Sequence, residues 1–585
     1  MTKPSAMPSP TPAEPVDFDA LVALALREHG ARRLAEAAAA YRQILDLRPD
    51  IAEAHNNLGN VLRDQGQLDE AQARYEQALV LRPALAETHN SLGNILRGQG
   101  KLDQALARYQ QALALRPDLA ELHYNVGCIF QSQGKLDEAV AQYERAIALK
   151  PDFATAHNNL GVVLRAQGKL DQALACYQQA LALRPDYADA HSNLGNTLKQ
   201  QGKLDEAMAR YQQAIALRPN LAEPYNSLGN VLLTQGKLDQ AVARYQQALA
   251  LRPDYADAQL GLAACYLAVG DYQRGWPAYE ARLRLPASAM PRSLTRWTGE
   301  PLAGRSLLLL AEQGLGDTFQ FLRYTRVLKD RGARVVLACQ QALGRLLTLE
   351  SDRHGPDSRG FNWDELFIMG SAEELPRCDF YLPLLSAPGM LLTSASTIPS
   401  EVPYLSADPE LTAQWGRELA GTGGFKIGID WQGASGFLSD RQRSIPLAQF
   451  APLARLPGVR LISLQKGFGS EQIATVDFPV LDLSGRLDEA AGPFMDTAAV
   501  LCNLDLVVTS DTAIAHLAGA LGVRVWVALN ISPDWRWLRQ RDDSPWYPTM
   551  RLFRQTTFGG WPDVFERIAH AVQACRSELA ASAGE

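Results

Sequence analysis

The sequence predicts two fold classes in one chain: an all-α solenoid over residues 18–285, then an α/β region of two parallel-sheet halves. Three observations carry this. Proline recurs at 49, 83, 117, 151, 185, 219 and 253, always 34 residues apart, and tyrosine keeps the same step at 41, 75, 109, 143, 177, 211, 245 and 279. The period is lost between Pro286 and Pro301, where Pro, Ser, Arg and Trp accumulate. Beyond it, short apolar runs such as SLLLLA and RVVLAC alternate with helical patterns, which implies parallel sheets.

One repeat explains the pattern. Asp50-Ile-Ala-Glu53 reads as a capping-box start for a first helix. Gly59 is small enough for two helices to approach closely, and Gly66 can take the left-handed conformation that closes the first of them. Ala71, Tyr75 and Ala78 form the buried face of the second helix, and Pro83 stops it. Each unit leaves an apolar face that only its neighbour covers. The first unit (18–49) and the last (256–285) are degenerate, as end caps should be. Residues 1–17 are rich in Pro and Ser and lack an apolar core; they read as a disordered tail rather than a signal peptide.

Two ladders share the period. His55, His89, His123, His157 and His191 are followed by Tyr225 and Gln259. Neighbouring helices stack about 8–10 Å apart while a His–metal bond is about 2 Å, so this ladder reads as packing between units. Asn57, Asn125, Asn159 and Asn193 form the second, with Ser91 and Ser227 in its gaps. A carboxamide can bond both donor and acceptor of an extended peptide backbone, and small polar residues equally line a solvated groove. The period and pattern together resemble the tetratricopeptide repeat.

In the α/β region, SLLLLA (306–311) reads as a strand, QGLGD (313–317) as a Gly-rich turn and TFQFLRYTRVLKDRG as an amphipathic helix. RVVLAC (334–339) is a second strand, with LFIM and DFYLPL suggesting more. Residues 286–303 form a hinge or linker, 304–407 a first Rossmann-like half, and 408–585 a second, with 408–424 as the crossing between them. KIGIDW (426–431) and VRLISL (459–464) are strands of the second half, and LAQFAPLARL a helix. The stretch Asp505–Val523 organises this half. LVVT runs as a strand through Ser510-Asp511-Thr512 into a helix, leaving the N–H groups of Thr512, Ala513 and Ile514 free to hold an anion, with His516 one turn inside.

Asp-Thr-x-x-x-His-Leu before a helix that ends in Ala-Leu-Gly-Val resembles the donor-site segment of the heptosyltransferase-like glycosyltransferases, enzymes of the two-Rossmann-domain GT-B fold. Ala513 stands where that family often carries Gly. The resemblance implies a nucleotide-sugar donor held by Gly314, Gly316, Arg443, Gln465, Lys466, Asp511, Thr512, Ala513 and His516. Arg443 matches a basic contact to the donor phosphates, at the end of a segment that begins with the Gly-rich loop 433–437. Asp317 matches the general base that takes the acceptor's proton; on its own it is equally a carboxylate favoured at a helix start. Gln320 and Arg323 replace the family's usual His and Pro, so the acceptor is expected to differ from a lipopolysaccharide core sugar. In the O-linked N-acetylglucosamine transferases, which join such repeats to a GT-B enzyme, an asparagine ladder holds the protein acceptor. The likeness gives Asn57, Asn125, Asn159 and Asn193 that role here.

Composition narrows the choice. A net charge of −7 argues against nucleic-acid binding, and seven singly spaced cysteines signal neither a zinc site nor a disulfide framework. No apolar run approaches about 18 residues, so no transmembrane segment is expected. The α/β region has no acidic DxD, so the leaving diphosphate is expected to rely on helix and cations, with no metal and no cofactor beyond the nucleotide-sugar co-substrate. The expectation is a cytoplasmic, inverting glycosyltransferase whose repeats hold a protein, such as a flagellin modified before export. A glycan or lipid acceptor, or a repeat scaffold with a degenerate transferase domain, are the alternatives.

Overall fold

The computed structural model describes residues 17–285, 290–291, 293–353, 363–370, 375–433, 443–557 and 559–582. The tail and most of the Gly-rich segment before Arg443 fall outside them. The chain forms two compact units, and the division lies inside the repeats, with Arg218 closing the first unit and Pro219 opening the second.

The first unit is built from antiparallel helix pairs such as Ala52–Asp64 with Leu68–Leu81. The expected close approach is present: a Cβ on Gly59 would lie 2.6 Å from Tyr75 Cε1, and the same conflict recurs at Gly93, Gly127, Gly161 and Gly195. Gly66 closes the first helix at φ 79°. Tyr75, Tyr109 and Tyr211 each donate their buried hydroxyl to an asparagine 15 residues back, at 2.8 Å. Gln133, Gln167 and Gln201 bond Asp103, Asp137 and Asp171 of the preceding unit at 2.8–3.1 Å. The capping box is not formed. Ile51 is the N-cap residue, no side chain caps the helix, and Glu53 pairs with Arg82 instead. Ile51 packs against the core between units, so burial rather than capping sets where this helix begins.

The second unit opens with the last helices of the array, Ala222–Thr234, Leu238–Leu251, Ala256–Ala268 and Tyr272–Tyr279. Two wholly parallel sheets follow. The first has the order β3-β2-β1-β4, from β1 (Ser306–Leu310), β2 (Arg334–Gln340), β3 (Glu365–Met369) and β4 (Phe380–Pro383). The second has the order β10-β9-β8-β5-β6-β7, from β5 (Phe425–Asp430), β6 (Val459–Ser463), β7 (Leu481–Asp482), β8 (Leu506–Thr509), β9 (Val525–Leu529) and β10 (Met550–Arg554). Taken by chain order within the half, that is the doubly wound 3-2-1-4-5-6 arrangement, whose switch point lies between β5 and β8.

Several local expectations are corrected. TFQFLRYTRVLKDRG is two helices, Leu315–Phe321 and Tyr324–Asp330, and every residue from Thr318 to Thr325 is buried. The break falls at Arg323, whose Nε bonds the carbonyl of Gln320 at 2.7 Å and so competes for an acceptor at the helix end. LAQFAPLARL is a 3-10 turn and the four-residue helix Ala451–Ala454, interrupted at Pro452, which has no N–H to continue the ladder. The crossing 408–424 is largely the helix Pro409–Ala420, capped by Asp408.

The expected hinge is pinned. Trp297 is buried, its N–H donates to Tyr381 O at 2.9 Å, and Tyr381 N donates back to Thr295 O at 2.9 Å. One continuous core runs from Leu267 and Trp276 in the last repeat through the two sheets to Leu552. Trp276 donates its indole N–H to Thr393 O at 2.8 Å. Arg282 is buried and bonds Glu312, after β1, and Ser386, after β4. The last repeat is part of the α/β core.

Candidate functional site

The site lies at the carboxyl ends of β5, β8 and β9. Thr509 and Thr512 both turn their hydroxyls onto Asp430 Oδ2, at 3.2 and 2.5 Å, which ties the end of β5 to the start of the helix Ala513–Ala520. Thr512 N donates to Ser510 O at 2.9 Å. Thr512 is therefore spent on building the turn, and the expected free amide at this position is corrected. The amides of Ala513 and Ile514 have no partner among the described residues.

In front of this turn is a cleft of about 280 Å³. Its polar lining comes from Arg443, Asp511, Asn530, Ser532, Asp534 and Arg539, and its apolar wall from Leu233, Thr234, Leu238, Ala264 and Ala268 of the last repeats. Ser532 Oγ donates to Leu233 O at 2.6 Å and Arg539 Nη1 to Gly236 O at 2.6 Å, so the repeat helices are fastened to the sheet's loops. Asp511 is half-buried, and burial, reinforced by the Asp534 carboxylate, pushes its carboxyl up to about 6. The Trp537 indole, Arg443 and Arg536 pull it the other way.

A second group of charges joins the two sheets. Arg536 is buried and bonds both Asp534, at 2.8 Å, and Asp317. Asp317 Oδ2 also accepts from Gly314 N at 2.9 Å. Both oxygens of the expected base are thus engaged, one within its own helix start and one with a buried cation. Trp535 packs on Trp276 at 5.4 Å, Tyr279 at 5.7 Å and Trp546 at 6.3 Å, linking the last repeat to the second sheet's loops. Two non-glycine residues with left-handed backbone flank this region, Gln313 (φ 67°) and Leu538 (φ 49°); such outliers cluster at working sites.

The remaining candidates divide. Gly316 sits where the Leu315–Phe321 helix meets the Ala513–Ala520 helix; a Cβ there would be 3.0 Å from His516 Cδ2 and 3.4 Å from Ala513 Cα. Its role is close packing, and Gly314 is the N-cap beside it. His516 is buried, stacked on Trp537 at 5.3 Å, and shares a 3.0 Å hydrogen bond between Nδ1 and the Tyr547 hydroxyl. Burial, with Arg536, Arg323 and Arg443 nearby, holds it well below the usual histidine range, so it is neutral and supplies no cation. Gln465 is buried, with Oε1 accepting from Trp431 N and Gln432 N and Nε2 donating to Gln432 O and Phe468 O, at 2.8–3.2 Å. Its amide joins two loops. Lys466 is exposed and bonds Leu487 O at 2.7 Å and Glu489 at 2.9 Å. Sequence reasoning missed Asn530, Ser532, Asp534 and Arg536; the last two lie in the Trp-rich run 533–548.

In the repeats, each ladder histidine bonds the carbonyl of the proline six residues before it, at 2.9–3.1 Å, closing the turn between successive units. Gln259 does the same to Pro253 at 2.7 Å. Asn125 Nδ2 donates to Asn90, Asn159 to Tyr124 and Asn193 to Asn158, at 3.0–3.2 Å, so these amides bridge one unit to the next. Asn57 accepts from Asn56 at 3.3 Å. No group of three His, Cys, Asp or Glu is placed to hold a metal among the described residues, and no described helix is long and apolar enough to cross a membrane.

Two family models match the chain. One, described as TPR repeat, covers residues 127–164, 163–202, 195–236 and 229–270; the other, described as tetratricopeptide repeat, covers 50–118. The N-terminal region is a tetratricopeptide-repeat array. Among curated proteins the chain is similar to Protein FlbA of Caulobacter vibrioides, 27% identical over 339 residues, which are 52% of this chain and 53% of that protein. The chain therefore spans about half the length of the relative it matches. Among solved structures it resembles a chain of the APC/C hetero-tetramer Cut9–Hcn1 (20% identity, TM-score 0.37, 43% of this chain and 50% of that one). It also resembles YrrB, described as a TPR protein with an unusual peptide-binding site (24% identity, TM-score 0.29, 32% and 97%).

Proposed function

We propose that the α/β region is a glycosyltransferase of GT-B architecture that moves a sugar, with inversion and without a metal, from a nucleotide-sugar donor to a protein held by the repeats. The observation that carries this reading is the cleft at the switch point of the second sheet, the place where doubly wound sheets take nucleotides. Arg443 and the amides of Ala513 and Ile514 suit a diphosphate, and Asn530 and Ser532 add neutral polar groups. The repeats supply a partner-binding surface, and their last helices wall the cleft. The test is a calorimetric screen of the full chain against nucleotide sugars. Binding that Arg443→Ala weakens by roughly 1.5–3 kcal/mol supports the reading. Failure of every nucleotide sugar to bind removes it.

A second reading is favoured by one observation: Asp317, the expected base, is bonded to Arg536 and Gly314. On that reading the repeats present partners and the cleft holds a nucleotide without turnover. A donor that binds but is neither hydrolysed nor transferred would distinguish it.

A further inference from the structure

We propose that anion binding in the cleft is coupled to proton uptake by Asp511. This rests on the donor-site reading above and extends it. Asp511 lines the same cleft as Arg443, in the turn immediately before the helix that offers the amides of Ala513 and Ile514. Among the described residues its carboxylate makes no ion pair, whereas Asp534 and Asp317 share Arg536. The groups that face it are Asp534, the Trp537 indole, Arg443 and Arg536; His516, behind them, is neutral. Among the described residues, Arg443, Arg539 and Arg536 stand against Asp511, Asp534 and Asp317, so these charges balance while Asp511 is ionised. An entering diphosphate meets a like charge at close range in a site of low dielectric. One proton on Asp511 removes that repulsion, gives the cleft a net positive charge and turns the carboxyl into a donor toward a phosphate oxygen.

Two buried groups beside the cleft also lack a partner among the described residues. The Ser510 hydroxyl, on the residue next to Asp511, is fully buried and has no hydrogen-bond partner, and Arg536 Nε is likewise buried and unpartnered. Buried donors of this kind are seldom left unmet unless a ligand or water completes them. Burial and the Asp534 carboxylate hold this carboxyl up at about 6, so its proton uptake falls inside the pH range titrated below.

The test uses the full chain and inorganic pyrophosphate, titrated calorimetrically from pH 5 to 8 in two buffers of different ionisation enthalpy. Wild-type protein should take up a fraction of a proton more than Asp511→Asn does at pH 7, which subtracts the proton equilibria of pyrophosphate itself. Asp511→Asn should bind about tenfold more tightly than wild type at pH 7 and equally at pH 5. Thermal melts confirm that the variant is folded. Identical pH dependence in the two proteins, or weaker binding by Asp511→Asn, overturns the coupling while leaving the anion site standing. Pyrophosphate that binds neither protein at any pH overturns both the coupling and the donor-site reading.

Discussion

Asp317→Ala is expected to cost stability before it costs chemistry. The substitution takes from Arg536 one of its two carboxylates, and the Arg536 side chain is only 7% exposed. It also removes the acceptor for Gly314 N. A charge-assisted bond contributes roughly 1.5–3 kcal/mol net and the helix-start bond about 1, which together predict a loss of about 3 kcal/mol. Asp534 remains on Arg536, which keeps the loss below that of a fully orphaned buried cation. Tryptophan fluorescence during thermal unfolding is the assay, because Trp535, Trp537 and Trp546 are buried around this contact. The melting temperature should fall by several degrees, and Asp317→Asn, which keeps the acceptor but not the charge, should fall less. If Asp317→Ala melts like the wild type and instead lowers turnover about 100-fold, Asp317 is the general base and the ion-pair account fails.

Four further outcomes are expected. Because the folded carboxyl of Asp511 is raised to about 6 from an ordinary value near 3.9, its contribution to stability is present below pH 4 and lost as pH rises through 6; Asp511→Asn should therefore exceed wild type by up to about 3 kcal/mol at pH 7 and match it at pH 4, measured by unfolding across that range. Arg282→Ala leaves the buried Glu312 carboxylate without its cation and should cost about 3–5 kcal/mol; a fragment beginning at residue 286 should accordingly fail to fold where one beginning at 219 succeeds, judged by limited proteolysis. Gly161→Ala places a Cβ 2.7 Å from Tyr177 Cε1 and should destabilise by about 1–3 kcal/mol, whereas Gly168→Ala meets no atom and should cost about 1 for its left-handed backbone. Transfer activity, once a donor is found, should survive excess chelator; loss that magnesium or manganese restores would replace the cation-and-helix account of the leaving group.

The repeats were legible because their information is local and stated many times over. Gly59 against Tyr75 and Pro83 at a helix end are contacts within one unit, and the 34-residue step repeats them. The capping box was misread because Ile51 is drawn into the core between units, which no local signal reports. The central strands were legible as apolar runs, since parallel sheets covered on both faces bury most of their residues, whereas β7 and β10, at the sheet edges, were not. The cleft was not, because Leu233, Arg443, Asp511 and Asp534 converge only through the topology. Gln465 and Lys466 stand out in the sequence as polar residues after a strand; in the folded chain Gln465 bonds loop backbone and Lys466 bonds Leu487 and Glu489. The inward direction of the Trp-rich run 533–548 was not legible either. Its indoles are wanted by Trp276 and Tyr279, more than 250 residues away.

Arg323 has a consequence for how the two halves are joined. Its guanidinium bonds Pro399 O and Trp546 O at 2.8 and 2.5 Å and the Tyr404 hydroxyl at 2.8 Å, with the Tyr547 ring 4.6 Å away. No carboxylate neutralises it among the described residues, so its charge is held only by carbonyl dipoles and aromatic faces contributed by both halves. Drawing the halves apart would strip those groups from an ion enclosed in apolar surroundings, at a cost of several kcal/mol. The two halves are therefore expected to stay joined at Arg323.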